Sequence, residues 1–147
     1  MKWIVCEFEH LFRVDFQPLQ GKQDMRDEFM DTPEMRAMLE NNAVTLLDGD
    51  DVLACVGVSP QRKGVCAAWA FLSARAIGKP VFLTRSVRRF LDTIEQYDGY
   101  RRIEAAVAVE HGAGHRWIRS LGFEHEGRMK NYGVGGQGDF DLYARTR

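Results

Sequence analysis

The sequence predicts an α/β fold built as one domain over residues 1–147, and three observations carry that reading. Extended and helical stretches follow one another in the order strand, helices, strand, strand, strand, helix, strand, helix, strand, strand. Two strand candidates, Ala43–Leu47 and Val52–Val58, flank Asp48-Gly49-Asp50, a hairpin signal with glycine in its loop. Between Pro80 and Tyr97 the apolar residues Leu83, Val87, Phe90, Leu91 and Ile94 fall at i, i+4, i+7, i+8 and i+11, the spacing of one helix face.

Each element has a local reason. Lys2 to Phe8 alternates weakly and is rich in β-formers, and Val14-Asp15-Phe16 extends that character before Pro18. Asp24 to Asn41 holds mostly helix formers and reads as one or two short helices broken near Pro33, with Thr32 as cap and Pro33 at the first helical position. A break from Ser59-Pro60 to Lys63-Gly64 leads into Val65–Leu72, apolar on both faces as a central strand is, which completes a three-stranded antiparallel meander. Asp98-Gly99 ends the amphipathic helix, and Arg102 to Val109 is a strand with Ile103, Ala105, Val107 and Val109 on one face. A helix follows from about Gly112 to Leu121. Gly112 and Gly114 each cost about 1 kcal/mol relative to Ala inside a helix, so close approach of a neighbour or ligand explains them better than conformational economy. The chain closes with Gly122 to Gly127, a glycine-rich turn from Gly133 to Gly138, and a strand around Phe140 to Ala144.

Composition excludes several classes. Twenty Lys+Arg against 21 Asp+Glu give a net charge of -1, so no global positive field exists to drive binding to phosphate backbones, and a nucleic-acid partner is disfavoured. With 45% hydrophobic and 11% aromatic residues the chain is not disordered, and its length buries an ordinary core without metal or disulfide staples. Cys6, Cys55 and Cys66 are an odd set without C-x-x-C spacing in apolar stretches, which reads as reduced core thiols of a cytoplasmic protein. The longest apolar run, Val65–Leu72, is less than half of the roughly 20 residues a membrane helix needs. Glu7 and Glu9 interrupt Trp3-Ile4-Val5-Cys6 too early for a signal-peptide core, so no membrane partner is expected.

Two stretches concentrate chemistry. The strand ending at Leu72 runs into Arg75-Ala76-Ile77-Gly78-Lys79-Pro80 and then into the amphipathic helix; backbone N–H groups and a positive helix end suit an anionic phosphate, and Arg75 and Lys79 add charge. The plainer reading is a strand-to-helix connection whose basic residues face water. The second stretch is His111-x-x-Gly114-x-x-x-Ile118-x-x-x-Gly122-Phe123. His111 and His115 have the i, i+4 spacing of a helical zinc pair, yet no third ligand accompanies them, and no metal is expected. Trp117 reads as a packing residue. Arg85, Arg88, Arg89, Arg101 and Arg102 form the basic cluster, read most simply as a solvated face on which Asp92 and Glu95 serve as partners of Arg88.

The order of elements, the Arg75-x-x-Gly78 loop after a central strand, and the run Gly122-Phe123-Glu124-His125-Glu126-Gly127 together resemble the GNAT superfamily of acetyl-CoA-dependent N-acetyltransferases, over about residues 43 to 147. The tail from Arg128-Met129-Lys130-Asn131-Tyr132 to Leu142-Tyr143-Ala144-Arg145 looks most like small, often phage-encoded members. The resemblance implies a mixed, mostly antiparallel central sheet flanked by helices, acetyl-CoA as co-substrate, and an amine acceptor on a small molecule or protein that attacks directly in a ternary complex. It further implies that backbone N–H groups near Phe71 and Leu72 hold the pantetheine and polarise the thioester carbonyl, while Arg75, Gly78 and Lys79 receive the pyrophosphate.

The chain also departs from the family's pattern. Pro80 stands where a small residue is usual, Ile118 where a tyrosine is commonly assigned to protonate the departing thiolate, and Val65–Leu72 lacks the acidic residue many relatives carry. An amine with a pKa of about 10 is mostly protonated at pH 7, so a base is needed. Glu110 and His111 remain as candidates, with Tyr132 or Tyr143 as acids, and His111 is the choice because neutral imidazole accepts a proton near pH 7. These departures keep a second reading open, in which the chain is a non-catalytic interaction protein of the same fold, binding a host protein if the gene is viral.

Overall fold

The structure, a computed structural model, describes residues 1–15 and 25–147. In chain order its elements are β1 (Lys2–Val5), 3-10 turns at Phe8–Phe12 and Met25–Glu28, α1 (Pro33–Asn42), β2 (Ala43–Asp48), β3 (Asp51–Arg62), β4 (Val65–Leu72), α2 (Ala74–Ile77), α3 (Pro80–Asp98), β5 (Arg102–Ala108), α4 (Gly112–Ser120), β6 (Glu124–Met129), a 3-10 turn at Val134–Gly136, and β7 (Phe140–Thr146). The strands form a seven-stranded sheet in the order β1-β2-β3-β4-β5-β7-β6. The β4/β5 pair is parallel, whereas β1/β2, β2/β3, β5/β7 and β6/β7 are antiparallel. This is the mixed, mostly antiparallel α/β architecture that the sequence predicts. Two compact units build it: Met1–Ser59 with Trp69–Pro80, and Pro60–Ala68 with Val81–Arg147.

In the first unit, α1 starts where the sequence signals it. The Thr32 hydroxyl accepts the Met35 N–H at 3.1 Å and Pro33 opens the helix, so one otherwise orphaned donor is satisfied and the missing proline donor costs nothing. The β2/β3 hairpin sets Thr45 opposite Cys55 and Leu46 opposite Ala54. Its core gathers Leu11, Leu39, Val52, Cys55 and Phe71, with Phe29, Met35 and Trp69 packed against them. The first strand is shorter than Lys2 to Phe8. It ends at Val5 because the Glu7 N–H donates to His10 Nδ1 at 3.0 Å, which pulls the chain into the Phe8–Phe12 turn. Val14 and Asp15 are not strand either, and the expected extension through Phe16 to Pro18, like the expected helical start at Asp24, lies outside the described residues.

The break expected at Ser59-Pro60 does not occur. Extended backbone continues to Arg62, since the fixed φ of Pro60 is compatible with a strand and its exposed position tolerates the missing N–H.

In the second unit, α3 buries Leu83, Val87, Leu91 and Ile94, four of the five residues on the predicted face. Its acidic residues do not serve Arg88, whose guanidinium donates instead to the Ser120 carbonyl at 3.0 Å. Asp92 and Glu95 both take Arg145 of β7, the Glu95 contact at 2.9 Å with both side chains nearly buried. Trp117 packs as expected and donates its indole N–H to the Thr84 hydroxyl at 3.1 Å.

All three cysteines are free and buried, and burial pushes the Cys66 thiol up to about 12, so it is an inert core group. Among the described residues no helix is long and apolar enough to cross a membrane.

Candidate functional site

The candidate residues divide between the units. Phe71, Leu72, Arg75, Gly78 and Lys79 lie in the first, and His111 lies in the second.

Phe71 and Leu72 end β4 and are buried, with the Phe71 ring edge-on to Phe29 at 5.8 Å and tilted against Trp69 at 5.4 Å. Ser73 then caps α2. Its hydroxyl accepts the Ala76 N–H at 3.2 Å, while the N–H groups of Ile77, Gly78 and Lys79 donate to Ser73, Ala74 and Ala76 carbonyls. Four backbone donors of the predicted phosphate loop are therefore spent on the loop's own turn. The donors that a helix start leaves without an intrahelical partner come one step later, at Val81 and Phe82 in the first turn of α3, and both residues are exposed.

Gly78 has an ordinary right-handed conformation, φ -66 and ψ -5, and a Cβ added there would meet only the Ala74 and Arg75 carbonyls at 3.4 and 3.5 Å. Neither strain nor crowding inside the chain requires glycine at this place.

Arg75 is exposed but ion-paired. Its guanidinium donates to Asp51 at 2.8 Å and to Asp48, the residues on either side of the hairpin turn between β2 and β3. Lys79 is exposed. The sequence shows the acidic turn and the arginine separately; their meeting, 24 and 27 residues apart, needs the folded hairpin.

In the second unit His111 occupies the N-cap of α4 without capping it: its backbone takes φ -88 and ψ 74, and its side chain makes no cap bond. The ring is half-buried, and Nδ1 is shut off from solvent with no hydrogen-bond partner among the described residues. Burial holds the imidazole below the ordinary histidine value of 6.5; His115 and Arg116 act in the same direction and Glu110 opposes them. Protonation at Nδ1 would leave a charged N–H without an acceptor, which is the physical cost behind that shift. His111 is thus neutral at pH 7.

His115 is committed elsewhere. Its Nε2 faces the Ala108 and Val109 carbonyls, both at 3.0 Å, and carbonyls only accept, so Nε2 carries the proton. Its Nδ1 is hydrogen-bonded to the Tyr143 hydroxyl at 2.8 Å. This removes the His111/His115 pair as a metal site, and no group of three or more His, Cys, Asp or Glu suited to a metal exists among the described residues. It also removes Tyr143 as an available acid, because it is fully buried and its hydroxyl is engaged by His115. Tyr132 is half-exposed over Phe140, and Ile118 is a buried packing residue.

Sequence reasoning missed a further cluster on the β6/β7 hairpin. Asp141 is buried and accepts from Arg128 at 3.1 Å and His125 at 3.2 Å. Burial pushes this carboxyl up, and the hydrogen bonds from Arg128 and His125 more than offset it, holding the group below the usual carboxylate range. The strand alternation of Asp141 and Tyr143 was a usable signal, but only with the register that sets His125 opposite Tyr143 and Arg128 opposite Asp141.

The architecture has close counterparts among solved structures. The GNAT-family acetyltransferase from Bacillus anthracis superposes with a TM-score of 0.70 at 16% identity, covering 98% of this chain and 93% of that one. The fold is that of the GNAT acetyltransferases. Ribosomal-protein-alanine N-acetyltransferase from Brucella melitensis gives 0.72 at 14% identity with 100% of both chains covered. An N-acetyltransferase from Staphylococcus aureus gives 0.69 at 17%, covering 99% of this chain and 97% of that one. These three are bacterial proteins, so the likeness to phage-encoded members finds no counterpart in them. No protein-family model matches the chain, and no curated sequence matches it significantly.

Proposed function

We propose that the chain is an N-acetyltransferase that passes an acetyl group from acetyl-CoA to an amine of a small molecule or protein, by direct attack within a ternary complex. The observation that carries this reading is Gly78. A GNAT fold presents Arg75-x-x-Gly78 before a long helix, and at its glycine the chain itself demands nothing, which leaves an approaching ligand as the reason for the missing side chain. Three buried free thiols fit a reducing compartment, the cytoplasm.

Bound acetyl-CoA supplies an activated acyl group as a thioester. Backbone groups at Phe71 and Leu72 hold its pantetheine and polarise the carbonyl. Arg75, Gly78 and Lys79 receive the pyrophosphate, and this requires the Arg75 guanidinium to turn from Asp48 and Asp51. His111 takes a proton from the acceptor's ammonium, freeing the lone pair that forms the new C–N bond as the C–S bond breaks. The acylated nitrogen sheds its second proton to water as the amide forms, and water or the exposed Tyr132 hydroxyl protonates the released thiolate.

Calorimetry with acetyl-CoA and a free-thiol release assay over a panel of amines and proteins test this. Saturable micromolar-scale binding, abolished by Arg75→Glu, and thiol release that falls in His111→Ala are expected. Complete absence of acetyl-CoA binding overturns the proposal.

A further inference from the structure

His111 and Gly114 form a contact that the order of residues alone does not reveal. A Cβ at position 114 would lie 2.4 Å from His111 Cδ2, 2.9 Å from Nε2 and 3.0 Å from Cγ, so one edge of the imidazole rests directly on the glycine. Gly114 is the third residue of α4, where glycine is costly and alanine is the best helix former. Its occurrence there is therefore explained by the ring above it. The same seat closes Nδ1 off from solvent and from any partner among the described residues, an arrangement a freely rotating N-cap histidine would relax.

We propose that Gly114 is a positioning residue, whose missing side chain seats the His111 imidazole against the first turn of α4 and so fixes both the orientation and the proton affinity of the base. The functional half of this rests on His111 as the base of the proposed transfer; the seat itself does not. With any Cβ at 114 the ring must rotate about its χ angles, because the surrounding helix backbone cannot yield, and rotation carries Nδ1 toward water. The charged groups facing the ring are Glu110 and Arg116, with His115 adjacent and held by Tyr143 and two carbonyls, and none of them changes when residue 114 does.

The experiment is a pair of readouts on Gly114→Ala. Proton–carbon NMR follows the His111 ring through a pH titration, its signal assigned by its loss in His111→Ala. The wild-type midpoint lies below 6.5, and in Gly114→Ala it rises toward that ordinary value. Thermal melts supply the second readout. Gly114→Ala lowers the melting temperature in the wild-type background, but in the His111→Ala background, with the ring gone, the same change raises it by about 2–4 °C through helix propensity. That comparison remains decisive even if the single variant folds poorly. An unmoved midpoint, or an equal rise in melting temperature in both backgrounds, overturns the seat. If the seat holds, kcat/KM for the acceptor at pH 7 falls about ten- to a hundredfold in Gly114→Ala while acetyl-CoA affinity stays unchanged. A moved midpoint with undiminished turnover overturns the positioning role through His111 and leaves acetyl-CoA binding by Arg75 to be judged on its own test.

Discussion

Replacing both Asp48 and Asp51 by asparagine should tighten acetyl-CoA binding. The two carboxylates hold the Arg75 guanidinium in the ligand-free protein, and a pyrophosphate must compete with them for it. All three side chains are substantially exposed, so each ion pair is worth about 0.2–1 kcal/mol. Because they share one guanidinium their contributions do not add in full, and together they cost the ligand roughly 1 kcal/mol, about fivefold in Kd. Removing two negative charges beside a polyanionic ligand adds in the same direction at low ionic strength and fades as the Debye length falls from about 10 Å at 0.1 M to 3 Å at 1 M salt. Calorimetric titration of the wild type, D48N/D51N, Arg75→Gln and the triple variant measures the effect and its dependence on Arg75. An unchanged or weaker affinity in D48N/D51N refutes the competition. So does an equal gain in the Arg75→Gln background, which would mean that the carboxylates act by general repulsion.

Three further outcomes follow from the same geometry. His111→Ala should lower kcat about a hundredfold, within the range typical of a lost general base, with acetyl-CoA affinity retained; the wild-type rate should rise with pH through a midpoint below 6.5, and the variant should lose that limb. Gly78→Ala should fold normally, with a melting temperature within about 2 °C of wild type because its Cβ meets only ordinary contacts, yet lose about tenfold or more in acetyl-CoA affinity. Burial lowers the His10 imidazole below 6.5, as it does that of His111, so folded protein binds fewer protons than unfolded protein as these rings titrate. Their contribution to stability is fully present above the unfolded value near 6.5 and is lost as pH falls through the folded values, so urea midpoints should decline from pH 7 downward, and less steeply in His10→Gln.

What could be read from the sequence was whatever neighbouring residues decide among themselves. Thr32 and Pro33 start α1, the Asp48–Asp51 turn closes a hairpin, and the period of Leu83, Val87, Leu91 and Ile94 turns one face of α3 inward, each from a window of a few residues. Partners chosen across the fold were not legible. Asp92 has the i, i+4 spacing for Arg88 on the same helix, but Arg145, 53 residues beyond Asp92, offers a nearly buried guanidinium, and desolvated charge competes better than exposed charge. The end of β1 failed for the opposite reason: residues of good strand propensity yielded to one local bond, Glu7 to His10. At the candidate site, His111 and the Arg75–Lys79 loop were visible, whereas the acidic hold on Arg75 and the commitment of His115 to Tyr143 required long-range pairing.

An isoleucine at 118 and a buried, hydrogen-bonded Tyr143 are less damaging to the proposed chemistry than the loss of a base would be. When the C–N bond has formed and the nitrogen has shed its proton, the only alternative to expelling the thiolate is expelling an amine anion, which is a far stronger base; the thiolate, whose thiol has a reference pKa of about 8.5, is the better leaving group and departs without assistance. Before that moment an ammonium has no lone pair, and nothing but deprotonation supplies one. The asymmetry puts the selective demand on the group that accepts the proton. It also explains why the chain can fill position 118 with a buried isoleucine while keeping at 114 a glycine that its helix would otherwise be more stable without.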